Sequence, residues 1–234
     1  MSRSGDLQKF YELLYELHQR CGGHRRLTDC HGKSGWPERG VYFFFEDGEF
    51  REDGVTPRVV RVGTHAVSKG SKTKLWTRLR NHRGSQNGGG NHRGSIFRLR
   101  VGEALMHRVE VAADIRISWS QGDSATKNIR LAEAPLELAV SDYICRMPFL
   151  WLELDDAPGP QSKRAYLERN SIALLSNCGK PQIDAPSEAW LGSMSTERTI
   201  RESGLWNTNH VAEPYDPSFL GFFADTLLAQ RPQQ

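Results

Sequence analysis

Acidic residues are missing from one long stretch of this 234-residue chain. Between Lys69 and Arg100 there is no Asp or Glu, while Lys69, Lys72, Lys74, Arg78, Arg80, Arg83, Arg93, Arg98 and Arg100 are all basic. Such a one-sign stretch can track a phosphate backbone, but taken alone it reads better as a solvated basic face with no partner. The formal net charge is only +3, so the chain as a whole lacks a strongly basic footprint. Cysteine is scarce too: Cys21, Cys30, Cys145 and Cys178 form no CxxC pair. That argues against a disulfide scaffold and for a reduced, cytoplasmic setting. Cys21, His24, Cys30 and His31 could in principle hold zinc, though their spacing matches no common zinc pattern. There is no apolar core of the signal-peptide kind and no run approaching a membrane span, so the expectation is a soluble protein. The length suits one large domain, or one core domain with elaborations.

Hydrophobic periodicity divides the chain further. Leu7, Phe10, Tyr11, Leu14 and Leu17 recur at helical spacing, and Gly22-Gly23 ends that helix. Gly40-Val41-Tyr42-Phe43-Phe44-Phe45 reads as a buried strand and Arg58–Gly63 as the strand returning after a long hairpin loop over 46–57. Ser71 or Thr73 is a candidate cap for a helix through Leu75 and Leu79 to about His82. Ile96–Val101 alternates apolar and basic residues, the pattern of a half-buried strand whose polar side could face phosphates. Leu136–Cys145 predicts a helix, Phe149–Leu154 a strand, and Ser162 the cap of a helix over Lys163–Leu175. A last helix is expected near Phe219–Leu228. The order implies an α+β fold with a small central antiparallel sheet flanked by helices. It suggests an N-terminal helix and polar extension (1–39), a core (40–185) and a C-terminal extension (186–234).

Three places carry residue types suited to chemistry. Glu168 falls among Ala165, Ile172 and Leu175 on one helical face, where a carboxylate needs a compensating partner. A metal ion or an arginine would serve, and spacing alone favours the salt bridge. Arg78 and His82 are four residues apart and so share a helix face, able to grip a phosphate and share a proton; a surface Arg with a capping His is the commoner meaning. Tyr42 shares a strand face with Phe44, so its hydroxyl must find a partner at the edge of the core.

Taken in order, Gly40-Val41-Tyr42, Arg61-Val62-Gly63, the Arg78/His82 helix and the Glu168 helix resemble the GIY-YIG nuclease family. The resemblance spans roughly Gly40 to Asp184. Leu75–His82 is similar to the family's first-helix pattern, and Leu167-Glu168-Arg169-Asn170 to its glutamate motif, in the style of the restriction-enzyme and excision-repair branches. Two departures stand out. Arg61 occupies the place where the second motif opens with Tyr, a position at which some restriction enzymes of the family use a basic residue. The family's terminal Asn has no clear counterpart: Asp184 stands where it is expected, with Asn170 and Asn177 as alternatives.

The resemblance implies a DNA endonuclease that hydrolyses phosphodiesters with one Mg2+ (or Mn2+) per active site. It makes Glu168 the metal ligand and Arg78 the group that neutralises phosphoryl charge. Tyr42, assisted by His82 or Arg61, would orient and help deprotonate water; His65 is a second proton-handling candidate. Lys72, Lys74, His92, Arg93, Arg98 and Arg100 would hold the DNA. Cutting both strands would call for a homodimer or sequential nicking. A catalytically impaired DNA-binding module of the same fold is the alternative.

Overall fold

The computed structural model describes residues 2–85, 87 and 89–230. Among them are eight α-helices and one four-stranded antiparallel sheet, so the fold is α+β. The strands are β1 (Arg25–Arg26), β2 (Gly40–Phe50), β3 (Pro57–Gly63) and β4 (Pro148–Glu153), in spatial order β1-β4-β2-β3. β2 is central, pairing Tyr42 with Gly63 on one side and with Trp151 on the other. It extends beyond the expected strand: Glu46–Phe50, read from sequence as loop, continues it, and the hairpin turns over 51–56. A register shift after Phe44 lets the long ribbon twist without losing its pairing.

Side chains alternate across β2 and feed two cores. Val41, Phe43 and Phe45 join Leu150 and Leu152 against α1 (Arg3–Arg20), α6 (Lys163–Leu175) and α8 (Phe219–Ala229). Tyr42 and Phe44 join Phe149 and Trp151 against α2 (Leu75–Arg83), α3 (Ile96–Leu105) and α5 (Lys127–Arg146). Both faces being covered explains why the β2 sequence is an unbroken apolar run rather than an alternating one. Residues from both ends of the chain enter these cores: Phe10 of α1 and Phe223 of α8 pack their rings with Phe43, and Trp190 and Trp206 sit in the second core.

Two local readings of the sequence are corrected. Ile96–Val101 is not a strand but the start of α3, whose N-cap is Ser95, with Oγ accepting from Arg98 N. Phe97, Arg98, Val101, Gly102, Glu103 and Ala104 are its buried positions, and six alternating residues at its start do not distinguish this helix from a strand. The cap of α2 is neither Ser71 nor Thr73. Lys74 takes the N-cap position with no side-chain bond, and Leu75 N donates to Glu38 O at 2.9 Å. In contrast, Ser162 caps α6 as the sequence suggests, with Oγ accepting from Ala165 N. The short α4 (Ala113–Ser118) and α7 (Arg198–Ser203) complete the helices.

Candidate active site

The end of the β2–β3 ribbon at Gly40 and Gly63 is where helices from both layers converge. Tyr42 is fully buried there, and its Oη lies 2.8 Å from His82 Nε2 on α2. The ring lies directly over Gly63, its strand partner: a Cβ at position 63 would stand 2.3 Å from Tyr42 Oη. The glycine of the second motif is therefore required by space, not by an unusual backbone angle.

Arg61 pairs with Phe44 and so shares its face. Its guanidinium sits 4.6 Å over the Phe97 ring, and Nη1 donates to Trp206 O at 2.6 Å. Burial lowers its pKa, Arg78 opposes its charge, and the neighbouring Tyr42 and Glu168 support it. An arginine so held keeps its proton and acts as a fixed positive charge rather than a proton shuttle. Arg78 is half-buried, and both its Nε and Arg61 Nε are buried without a hydrogen-bond partner among the described residues. His82 is completely buried, and burial together with Arg78, Arg61 and Arg98 pushes its pKa well below the ordinary value. It is a neutral imidazole.

Glu168 enters from α6 on the opposite layer. Its Oε1 accepts from Thr64 N at 2.9 Å, just past the end of β3. Burial raises its pKa, opposed by the Thr64 N–H and by Arg61, His210 and Arg78. The five residues singled out by the motifs are thus joined in one group: Tyr42 meets His82, and Arg61 and Arg78 lie within electrostatic reach of both His82 and Glu168.

His65 lies beside this group, with Nε2 3.2 Å from Glu38 O and Nδ1 without a partner among the described residues. Burial, reinforced by Arg164, lowers its pKa to about 4, so it too is neutral. The other asparagine and aspartate candidates lie elsewhere. Asn170 is two residues from Glu168 on the helix, hence on the far face; its amide bonds Tyr166 O and Asp216 N. Asp184 is paired with Arg51 at 2.7 Å, past the other end of β2. Asn177 bonds the backbone of Ile183 and accepts from Arg3.

Most of the expected DNA contacts are also redirected. Arg98 is wholly buried and bonds Glu137, Ser141 and the carbonyl of His82, which ties α3 to α2 and α5. His92 stacks on Trp119 and meets Glu137 Oε1 at 2.9 Å. Arg93 is paired with Glu133 in the interior, and Arg100 with Glu103 and Glu197. These three arginines and His92 are structural, each meeting an acid that lies outside the basic stretch. Lys74 is exposed and paired with Glu38, while Lys72 is exposed. Cys21, His24, Cys30 and His31 do not gather: Cys21 Sγ points to Trp151 O, Cys30 Sγ to Arg26 O, and His24 packs on His18 and Phe45. Among the described residues, no group of three or more His, Cys, Asp or Glu side chains could hold a metal ion.

Several residues that build the site gave no sign in the sequence. Arg164, fully buried, bonds Asp156 and the carbonyl of His65, clamping the segment after β3 onto α6 so that Thr64 N meets Glu168. Asn207 presses its amide on β3 as a strand would: Val62 N donates to Oδ1 at 3.0 Å and Nδ2 donates to Val62 O at 2.8 Å. With Trp206 N donating to Val60 O, this segment covers the free edge of β3 and fixes Arg61.

A family model described as GIY-YIG domain matches residues 1–233. The chain therefore belongs to the GIY-YIG family, which is of nuclease type. The match takes in α1 and the segment carrying Trp206 and Asn207 as well as the two motif strands. No curated protein and no solved structure matches the chain. Among the described residues, no helix is long and apolar enough to cross a membrane.

Proposed function

We propose that the chain is a divalent-metal-dependent DNA endonuclease that hydrolyses phosphodiester bonds at Tyr42, Arg61, Arg78, His82 and Glu168. The observation that carries this reading is the convergence of these side chains, from β2, β3, α2 and α6, at one end of the sheet. A half-buried guanidinium on a helix, as at Arg78, is the kind of fixed donor a transferring phosphoryl group requires.

The donor set fits one hard cation. Glu168 offers a single carboxylate whose Oε1 is oriented by Thr64 N, and among the described residues no cage of three or more ligands surrounds it. That is the pattern of Mg2+ or Mn2+, which keep much of their water and share the substrate's phosphate, and not of a structural zinc. When bound at Glu168, the ion supplies Lewis-acid polarisation of a phosphoryl oxygen.

The remaining work falls to the chain's own groups. Arg78, on a rigid helix, presents fixed donors to the phosphoryl oxygens as charge develops on them. Arg61 holds a positive charge beside the Tyr42 hydroxyl, anchored by Trp206 O and the Phe97 ring. Tyr42 orients the attacking water and assists its deprotonation, with His82 fixing the phenol ring. Outside the site, Lys69, Lys72 and Arg80 are exposed and unmatched by an acid among the described residues, so they are the cations available to track the DNA backbone.

Plasmid nicking tests the assignment. Glu168→Ala should abolish magnesium-dependent cleavage while leaving gel-shift affinity for DNA largely intact. Cleavage by that variant at the wild-type rate would falsify the site. Binding without nicking by the wild-type protein under any divalent metal would support the impaired binding module instead.

A further inference from the structure

The segment that covers the edge of β3 also brings a histidine to the Glu168 side of the site. His210 follows Asn207, whose amide is fixed on Val62, and the next residue, Val211, is buried in the core that packs against α6. Further on, Lys180 Nζ donates to Glu213 O at 3.0 Å and Asp216 N donates to Asn170 Oδ1 at 2.7 Å, so the chain is held on both sides of His210. The backbone there is left-handed, φ 64°, an angle that residues with a side chain adopt rarely and that fixed flanks can maintain. The His210 side chain is 35% exposed and lies within electrostatic reach of Glu168.

Three histidines stand around the site, and their rings meet different groups. His82 meets the hydroxyls of Tyr42 and Ser95, and His65 meets a backbone carbonyl. His210 meets a carboxylate: Nδ1 lies 2.8 Å from Glu213 Oε1, and Glu213 Oε2 is tied to Arg169, the residue after Glu168. The bond to His210, with that to Arg169, holds the Glu213 carboxyl below its ordinary range, so it is ionised and can only accept. His210 Nδ1 must then carry a proton, and Nε2, which has no hydrogen-bond partner among the described residues, is the atom left to act. A carboxylate on Nδ1 orients an imidazole and stabilises its imidazolium form.

We propose that His210 is a further catalytic residue, the proton donor to the leaving sugar oxygen, with Glu213 as its positioning residue. The inference rests on the nuclease reading above. In an in-line displacement the attacking and leaving oxygens lie on opposite sides of phosphorus. Tyr42 and His82 serve the water from the layer of α2, while His210 stands with Glu168 on the layer of α6, across the sheet, where the leaving oxygen departs. A water oxygen bonds to phosphorus as the bond from phosphorus to the sugar oxygen breaks. That oxygen keeps the bonding pair and takes the Nε2 proton, becoming a hydroxyl, and His210 is left neutral with its Nδ1–H on Glu213. The proton lost by the water leaves to solvent on the Tyr42 side.

The test compares two duplexes in Mn2+, one ordinary and one with sulfur in place of the leaving sugar oxygen at the cut site. A thiolate leaves without a proton, so only the ordinary duplex needs the donor. His210→Asn tolerates the left-handed angle but has no proton to transfer. Its single-turnover cleavage of the ordinary duplex should fall about 100-fold, while the sulfur duplex stays within about threefold of wild type. Glu213→Gln, which takes away the counter-charge, should show the same selective loss at about tenfold. Wild-type cleavage of the ordinary duplex by His210→Asn, or an equal loss on both duplexes, overturns the proposal. A separate readout needs no activity: a long-range proton–nitrogen spectrum of the full chain labelled with 15N-histidine, without DNA or metal. The His210 signals, assigned by their loss in His210→Asn, should show a protonated Nδ1, and an unprotonated Nδ1 overturns the proposal. A wild-type chain that cuts neither duplex refutes the nuclease reading itself, whereas a cutting wild type with an indifferent His210→Asn refutes only the role of His210.

Discussion

Adding one methyl group at Gly63 should be enough to disable the site. A Cβ there would stand 2.3 Å from Tyr42 Oη, 2.4 Å from Cζ and 2.6 Å from Cε2, against an ordinary contact of roughly 3.5–4 Å. The phenol ring would have to retreat by more than about 1 Å. It has nowhere to go: Tyr42 is fully buried and its ring is edged by Phe44 and His82. Overpacking of this kind costs about 1–3 kcal/mol. Losing the 2.8 Å contact with His82 adds about 1 kcal/mol. In a chain of this size the melting temperature of Gly63→Ala should then fall by roughly 5–12 °C. A misplacement of that size beside the chemistry should lower cleavage about 100-fold. Thermal unfolding and single-turnover cleavage of a labelled duplex, run side by side on wild type and variant, measure both effects. Wild-type melting together with wild-type cleavage would mean that Tyr42 does not lie over Gly63, and the geometry of the site would have to be redrawn.

Other substitutions probe different parts of the argument. Arg78→Lys keeps the charge but not the forked donors, so cleavage should drop by about 100-fold or more with little change in stability; near-normal turnover removes Arg78 from the active site. Arg98→Ala strips the buried partner from Glu137 and should cost about 3–5 kcal/mol in urea unfolding. Were Arg98 a DNA contact instead, that variant would keep its stability and lose salt-dependent binding. His65 has a folded-state pKa of about 4, below its unfolded value, so the stability it contributes is complete above about pH 6.5 and is lost as the pH falls toward 4. The full shift is worth about 3 kcal/mol. His65→Gln should therefore lose less stability than wild type between pH 7 and pH 4.5, and equal losses would contradict the burial of a neutral imidazole.

The parts of the molecule legible in the sequence are those whose physics is local. β2 announces itself because both faces of a central strand are covered, so Val41–Phe45 is apolar throughout. α6 begins where Ser162 supplies a cap, a signal three residues long. The order Tyr42, Arg78, His82, Glu168 survives as a pattern because each residue is fixed by its own strand or helix. Ile96–Val101 fails for a related reason: a short alternating segment fits strand and helix alike, and the decision lies in Ser95 and in the acids of α5. An arginine in an alternating pattern reads as exposed. Arg98 is wholly buried because Glu137, 39 residues later, compensates it.

Contacts made through the main chain leave no trace in residue type, and the least legible part of the site is built from them. Trp206 contributes its carbonyl to Arg61 and its N–H to Val60, and either would be available from any residue but proline at the N–H. Asn207 is specified more tightly, since only an amide side chain can both accept from Val62 N and donate to Val62 O. β3 lies at the edge of the sheet, and an uncovered edge would leave Arg61 and Gly63 on its most pliable strand. Covering that edge with 206–207, and pinning the chain after β3 through Arg164, holds Tyr42, Arg61 and Thr64 in one rigid unit. The departure from the usual tyrosine at position 61 is intelligible in that setting. An arginine there needs an anchor for its guanidinium, and the carbonyl of Trp206 and the ring of Phe97 provide one from segments that sequence order places well apart.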